Sequence, residues 1–176
     1  MDLNKIIMKI FESFKDSILY ESETHVKIYK GYKPRRVYNR LTKREAFELE
    51  LEIYKRISGE KNFPKLINYD KKKMTLEIEH CGKPLTQLDK IEINDLDKQI
   101  KNIINVLKKN NIIHLDLHSS GKNICYKDGK IYLIDFDIAI IDNKPLNRFL
   151  DSKNKDIDVE EAIKKMFKGK KVISKK

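Results

Sequence analysis

The chain has little cysteine, little glycine and no long apolar run. Its two cysteines, Cys81 and Cys125, lie far apart and share no metal or redox spacing. They read as free thiols in a reducing, cytoplasmic setting. No apolar stretch approaches the roughly 20 residues of a membrane-spanning helix. The opening MDLNKIIMKIFESF carries an acid at position 2 and interrupts its apolar run with Lys9 and Glu12, so it is a poor signal peptide. Leu3, Ile7, Ile10 and Phe14 recur at helical spacing and predict a docked amphipathic helix. There is no internal repeat and no long Pro/Gly/Ser linker. The 176 residues therefore suit one domain with a real core, or two small lobes.

Acid is also the scarcer charge: 38 Lys and Arg stand against 27 Asp and Glu, for a net charge of +11. Such a surface attracts nucleic acid, anionic membranes or phosphorylated ligands. Lysine is abundant throughout, so compositional drift accounts for the same excess. Two clusters stand out, the tail Lys164–Lys176 and the run Lys27–Arg44, which has no acidic residue. With Tyr29, Tyr32 and Tyr38 interleaved, the second run is a candidate surface for RNA or an acidic partner, or else a solvated face. No base-reading motif accompanies it.

HVKIYK (25–30) reads as a short strand ended by Gly31 and Pro34. The next segment predicts a helix over 43–57, with a capping box at Thr42 and Glu45 and Gly59 just past its end. At 100° per residue Ala46, Phe47, Ile53, Tyr54 and Ile57 share one side, and Glu50 lies in the middle of it. A carboxylate pointing inward is costly unless paired, so Glu50 is placed to meet a buried cation. FPKLINYDKKKMTLEIEH suggests two strands joined by a lysine turn, with Met74, Leu76 and Ile78 on one side. A second helix is predicted over 95–109, with Asn94 as cap, Asp97 at the capping-box position and a stripe of Ile100, Ile103, Ile104 and Leu107. HLDLHSSGKN (114–123) follows as a loop, and NICYKDGKIYLID as a hairpin turning at Asp128–Gly129. Beyond Ile141 the sequence is polar, apart from an amphipathic stretch at Val159–Phe167. The order implies an α+β chain in two lobes, hinged near Glu79–Lys83.

The open ends of that hairpin carry Asn123 and Asp135. Residues at such ends lie close together, so an amide oxygen and a carboxylate can converge on a hard cation such as Mg²⁺. Asp116, in a loop flanked by Ile112, Ile113, Leu115 and Leu117, can accept a proton from an alcohol. A cation site, a base and an inward Glu with a Lys partner are the parts of a phosphoryl-transfer centre.

HLDLHSSGKN followed by IDFD resembles the catalytic loop and metal-binding segment of the protein-kinase-like superfamily. The resemblance implies a bilobal fold with a reduced C-terminal lobe, a single domain over 1–176 with lobes at about 1–80 and 84–176. It implies ATP and Mg²⁺ as cofactors, Asp116 as catalytic base, and Asn123 and Asp135 as metal ligands. VKIYK is similar to the strand that carries the ATP lysine, here Lys27, with Lys30 as its rival and Glu50 as the helix partner. Lys27→Met is then expected to loosen the hold on phosphates and leave the fold largely intact. EIEHCGKPL resembles the hinge, so that backbone groups of Glu79, His80 and Cys81 would hold adenine. His114 would brace the loop. His118 is either near the reaction centre or plain loop surface, and Asp137 is either a second ligand or solvated.

Departures from the pattern narrow the resemblance. No glycine precedes Lys27 in SILYESETHVKIYK, so another turn, around Ser22–Thr24, would have to cover the phosphates. Asn123 follows Asp116 by seven residues where five is usual, as though Ser119–Ser120–Gly121 held a two-residue insertion. DFD replaces DFG, and with HLDLH it is similar to the aminoglycoside and choline phosphotransferase branch. No A-P-E follows, and too few residues remain after Ile141 for a peptide-binding lower lobe. Compact RIO-type kinases and the kinase of the KEOPS tRNA-modification complex lack the same parts. The resemblance implies an ATP- and Mg²⁺-dependent serine/threonine protein kinase. A pseudokinase that binds nucleotide or a partner, and a kinase of small alcohols, stay open beside it.

Overall fold

A computed structural model describes residues 17–19, 24–29, 42–117, 121–137, 139–142 and 158–174. The expected N-terminal helix, Lys30, His118 and most of the Lys27–Arg44 run lie outside the described residues.

Strands β1 (Ser17–Leu19), β2 (Thr24–Ile28), β3 (Leu66–Asp70) and β4 (Thr75–Glu79) form an antiparallel sheet in the order β1-β2-β4-β3. Helix α1 (Lys43–Ile57) packs against it. Its start is fixed locally by the expected capping box: Glu45 N–H donates to Thr42 Oγ1 at 3.2 Å, and Thr42 N–H donates to Glu45 Oε2 at 2.6 Å. The buried surface of α1 is wider than the predicted stripe, because Leu49 and Leu51 are buried as well. Within the predicted stripe Phe47 meets Tyr29 edge-on at 5.6 Å, and Tyr54, two turns further along the same side, meets Phe136 edge-on at 5.6 Å.

The rest of the chain is built from short ribbons around two helices. Strand β5 (Lys83–Pro84) pairs with β8 (Ile124–Lys127), which pairs with β9 (Lys130–Leu133). The β8–β9 turn is Asp128–Gly129, both with positive φ (50° and 79°), as an Asp-Gly hairpin turn requires. Strand β6 (Lys90–Ile93) precedes α2 (Leu96–Lys109), and β7 (Ile112–Ile113) pairs with β10 (Ile140–Ile141). Helix α3 (Val159–Met166) buries Ile163 and Met166, as the amphipathic stretch suggested, and β11 (Lys171–Ser174) adds in parallel to β6.

The start of α2 differs from expectation. Its cap is Asp95, in a left-handed conformation (φ 49°) and without a side-chain cap bond, so neither Asn94 nor Asp97 caps it. Gln99 instead donates from Nε2 to the Asn94 carbonyl at 2.7 Å and to the Gly129 carbonyl at 2.9 Å. The Gln99 side chain belongs to a partly buried amide cluster with Asn62 and Asn102. Asn62 Nδ2 donates to Gln99 Oε1 and to the Ile131 carbonyl, each at 2.8 Å, and Asn62 Oδ1 accepts from Asn102 at 3.1 Å. This cluster joins the loop after α1 to α2 and to the β8–β9 hairpin, and one continuous apolar core underlies all of them.

The connection between the two parts contains a glycine that nothing else can replace. Gly82 has φ +84°, and a Cβ there would lie 2.1 Å from the Tyr126 carbonyl oxygen. Gly82→Ala is expected to cost about 3 kcal/mol or more, from left-handed strain plus the backbone clash. Gly59 has nearly the same φ (+85°) but nothing within 4 Å of the added atom. Gly59→Ala should therefore cost about 1 kcal/mol from the backbone conformation alone. Urea unfolding of the two variants checks the contrast.

Candidate active site

Lys27 lies on β2 opposite Leu76, a fully buried residue of β4, so its side chain enters the interior face of the sheet. Its Nζ is 2.8 Å from Glu50 Oε2 and 2.6 Å from Asp135 Oδ1. Glu50, fully buried at 0% exposure, is the inward acid that the helix pattern singled out. Its second oxygen, Oε1, accepts the backbone N–H of Phe136 at 3.0 Å. Burial opposes the charge on Lys27, but the carboxylates of Asp135 and Glu50 more than offset it, holding its ammonium well above the ordinary lysine range. Burial pushes the Glu50 carboxyl up, and the Lys27 ammonium pulls it back.

Asp135 follows β9 in a left-handed conformation (φ 67°). A non-glycine residue stays there only where its surroundings fix it. Here Ile134 N–H donates to the Asn123 carbonyl at 3.0 Å on one side, and Phe136 N–H is held by Glu50 on the other. The left-handed turn thus ends the strand and aims the Asp135 carboxylate at Lys27.

Asp116 is 4% exposed and stands beside Asn123. Asn123 Nδ2 donates to the Asp116 carbonyl at 2.7 Å and to Asp116 Oδ2 at 3.1 Å. Both bonds use the amide nitrogen and leave the Asn123 side-chain oxygen out of them. His114 braces the loop from within. Asp116 N–H donates to its Nδ1 at 3.2 Å, so Nε2 carries the proton and donates to the Ile134 carbonyl at 3.0 Å. The ring also packs 4.9 Å from Phe136, and burial holds its pKa below the usual value, in keeping with the neutral form. His114 therefore links the backbone at Asp116 to the residue before Asp135. Gly121, where the described chain resumes after this loop, has φ +71°, and a Cβ there would lie 3.0 Å from Leu85 Cβ and 3.5 Å from Met166 Cβ.

The connecting strand is partly committed within the protein. Glu79 N–H donates to the Lys65 carbonyl at 2.9 Å, the His80 carbonyl accepts from Lys127 Nζ at 3.1 Å, and the Cys81 thiol donates to the Glu79 carbonyl at 3.4 Å. His25 shares the interior face of β2 with Lys27. Burial, Lys27 and His80 push its imidazole down to about 4, so it is uncharged at neutral pH. The thiols of Cys81 and Cys125 are free and buried, and burial raises both well above the ordinary thiol range, so they stay protonated and unreactive.

The structure thus brings Lys27, Glu50, Asp135, Asp116 and Asn123 into one cluster, with Asp137 close enough to act on the charge of Lys27. Among the described residues no group of three or more His, Cys, Asp or Glu side chains is arranged to hold a metal. The hard oxygens of Asn123 and Asp135 nevertheless suit Mg²⁺, which commonly takes one or two protein oxygens and completes its shell with phosphates and water. The Lys27 ammonium on Asp135 Oδ1 marks that oxygen as one that already holds a cation. Sequence pattern did not reveal the Phe136–Glu50 bond or the partners of His114, since both are contacts to backbone groups far away in the chain.

The family model described as RIO domain matches residues 2–175. No curated protein matches the chain. The chain belongs to the RIO domain family, an atypical protein-kinase-like family, and its α+β architecture is of that kind.

Proposed function

We propose that this member of the RIO domain family is an ATP- and Mg²⁺-dependent serine/threonine protein kinase, with the whole span 1–176 as its domain and a small lobe over about 1–80. The observation that carries the reading is Lys27 held between Glu50 and Asp135 with Asp116 and Asn123 alongside. Glu50 fixes the Lys27 ammonium so that it meets phosphate oxygens without first being ordered. Asp135 and the Asn123 oxygen would hold Mg²⁺. When bound, the ion neutralises charge on the phosphates. Asp116, kept in place by Asn123 and His114, would orient the acceptor hydroxyl and take its proton. Adenine would rest against the backbone of Glu79, His80 and Cys81.

Incubation of pure protein with labelled ATP and generic protein substrates tests this. Label transfer is expected with Mg²⁺ and to be lost with chelator or in Asp135→Ala. Binding of ATP that is indifferent to Mg²⁺ and to Asp135→Ala would argue against the metal site, and transfer to free serine or other small alcohols alone would remove the protein as acceptor.

A further inference from the structure

Strands β7 and β10 pair at only two positions, Ile113↔Ile140 and Ile112↔Ile141. A ribbon that short does not hold itself together. Yet β7 leads directly into His114 and Asp116, and β10 closes the segment that begins at Asp135. The near ends of these strands carry the two acids of the site. Their far ends meet at one guanidinium.

Arg56, in the last turn of α1, donates from Nη1 to Asp142 Oδ1 and from Nη2 to Asp142 Oδ2, each at 2.8 Å. Nη1 also reaches the Asn110 carbonyl at 3.4 Å, and Nε donates to Glu52 Oε1 at 3.1 Å. Asp142, left-handed at φ 52°, donates its own N–H to the Asn111 carbonyl at 2.9 Å. Three elements therefore converge there: the end of α1, the turn between α2 and β7, and the residue after β10. The same helix that presents Glu50 to Lys27 and to Phe136 N–H thus grips the segment leading through β10 a second time, six residues further along both the helix and that segment. A planar two-point fork sets orientation as well as distance, which a single-point cation does not.

We propose that Arg56 and Asp142 are positioning residues for phosphoryl transfer: their fork fixes the ribbon that aims Asp116 and Asp135 relative to α1 and Glu50. The inference rests on the kinase reading of the site. The pair is partly exposed, at 27% and 35% of the side chains, so it contributes little to global stability. Its effect belongs on turnover, where a displacement of about 1 Å from a distant change costs up to 10²-fold.

The test uses Arg56→Gln, Asp142→Asn and the double variant of the full chain. Expected are kcat losses on the order of tenfold to 10²-fold with little change in KM for ATP or in Tm. The double variant should lose no more than the more damaged single, since each residue acts through the other. Amide exchange should quicken at Ile112–Ile113 and Ile140–Ile141 and stay unchanged in β2 and β4. Losses that add in the double variant, or unchanged exchange in Arg56→Gln, overturn the clamp. Wild-type protein that turns over no ATP overturns instead the kinase reading on which it rests.

Discussion

Lys27→Met is expected to abolish most phosphoryl transfer and to yield a protein whose stability falls as pH rises. Methionine keeps the length and apolar stem of lysine but removes the cation. Loss of a fixed donor to the transferring group lowers kcat by about 10²- to 10³-fold. The larger consequence is for Glu50, which is fully buried and, among the described residues, keeps the Phe136 N–H as its hydrogen-bond partner. A buried charge stripped of its partner costs about 3–5 kcal/mol, so the carboxyl retains its proton instead. Its folded pKa then lies further above the ordinary glutamate value of 4.5 than in the wild type, where Lys27 opposes burial. Between the ordinary and the raised value the folded state binds more protons than the unfolded one. Stability is therefore full below about 4.5 and is lost as pH climbs toward the raised pKa, by about 1.4 kcal/mol for each pH unit that separates the two. Denaturant unfolding at pH 5 and pH 8 should show a steeper decline for Lys27→Met than for wild type. Lys27→Met with Glu50→Gln should flatten it without restoring transfer. Equal slopes in all three proteins would mean that Glu50 is not held by Lys27. The sequence alone suggests that Lys27→Met spares the fold. Burial makes that outcome depend on pH.

What could be read from the chain beforehand was whatever is settled locally. The capping box at Thr42 and Glu45 needs only neighbouring residues, and the structure has both of its bonds. Glu50 was legible as a charge on an apolar helical face. The closeness of Asn123 and Asp135 followed from the Asp128–Gly129 turn between them. Contacts between distant polar residues were not legible. Asn62, Gln99 and Asn102 have the composition of solvated positions, and only the fold shows them satisfying one another and the Ile131 and Gly129 backbone. That same cluster explains the misplaced cap of α2, because the Gln99 side chain takes the Asn94 carbonyl and Asp95 turns left-handed. Nothing in the local pattern singles out Arg56, whose main partner is 86 residues away. The lysine-rich tail hid β11, where Val172 and Ile173 lie opposite Ile91 and Glu92. Pattern reports which face a residue occupies. It does not report which polar groups will meet there.

Asp116→Asn is expected to lower phosphoryl transfer by about 10²- to 10⁴-fold while leaving ATP binding nearly unchanged. The substitution suits the site unusually well. Asn123 donates to Asp116 Oδ2 at 3.1 Å, and the oxygen of an asparagine can accept that bond in the same place. The backbone bonds at this position, from Asp116 N–H to His114 and from Asn123 to the Asp116 carbonyl, do not involve the side chain. Loop geometry should therefore persist, and melting temperature should show no large loss. What changes is chemical: an amide cannot take up the hydroxyl proton of the acceptor and carries no negative charge to orient it. Lys27, Glu50 and Asp135, the groups assigned to the phosphates and the metal, are untouched. The measurement is a paired one, label transfer to a protein acceptor beside ATP affinity in the presence of Mg²⁺. A fall in transfer with affinity preserved places the role of Asp116 in the transfer step. A parallel fall in both would make Asp116 part of the nucleotide or metal site instead. Undiminished transfer would remove it from the chemistry, and the base would then have to be sought among the other groups that line the cluster.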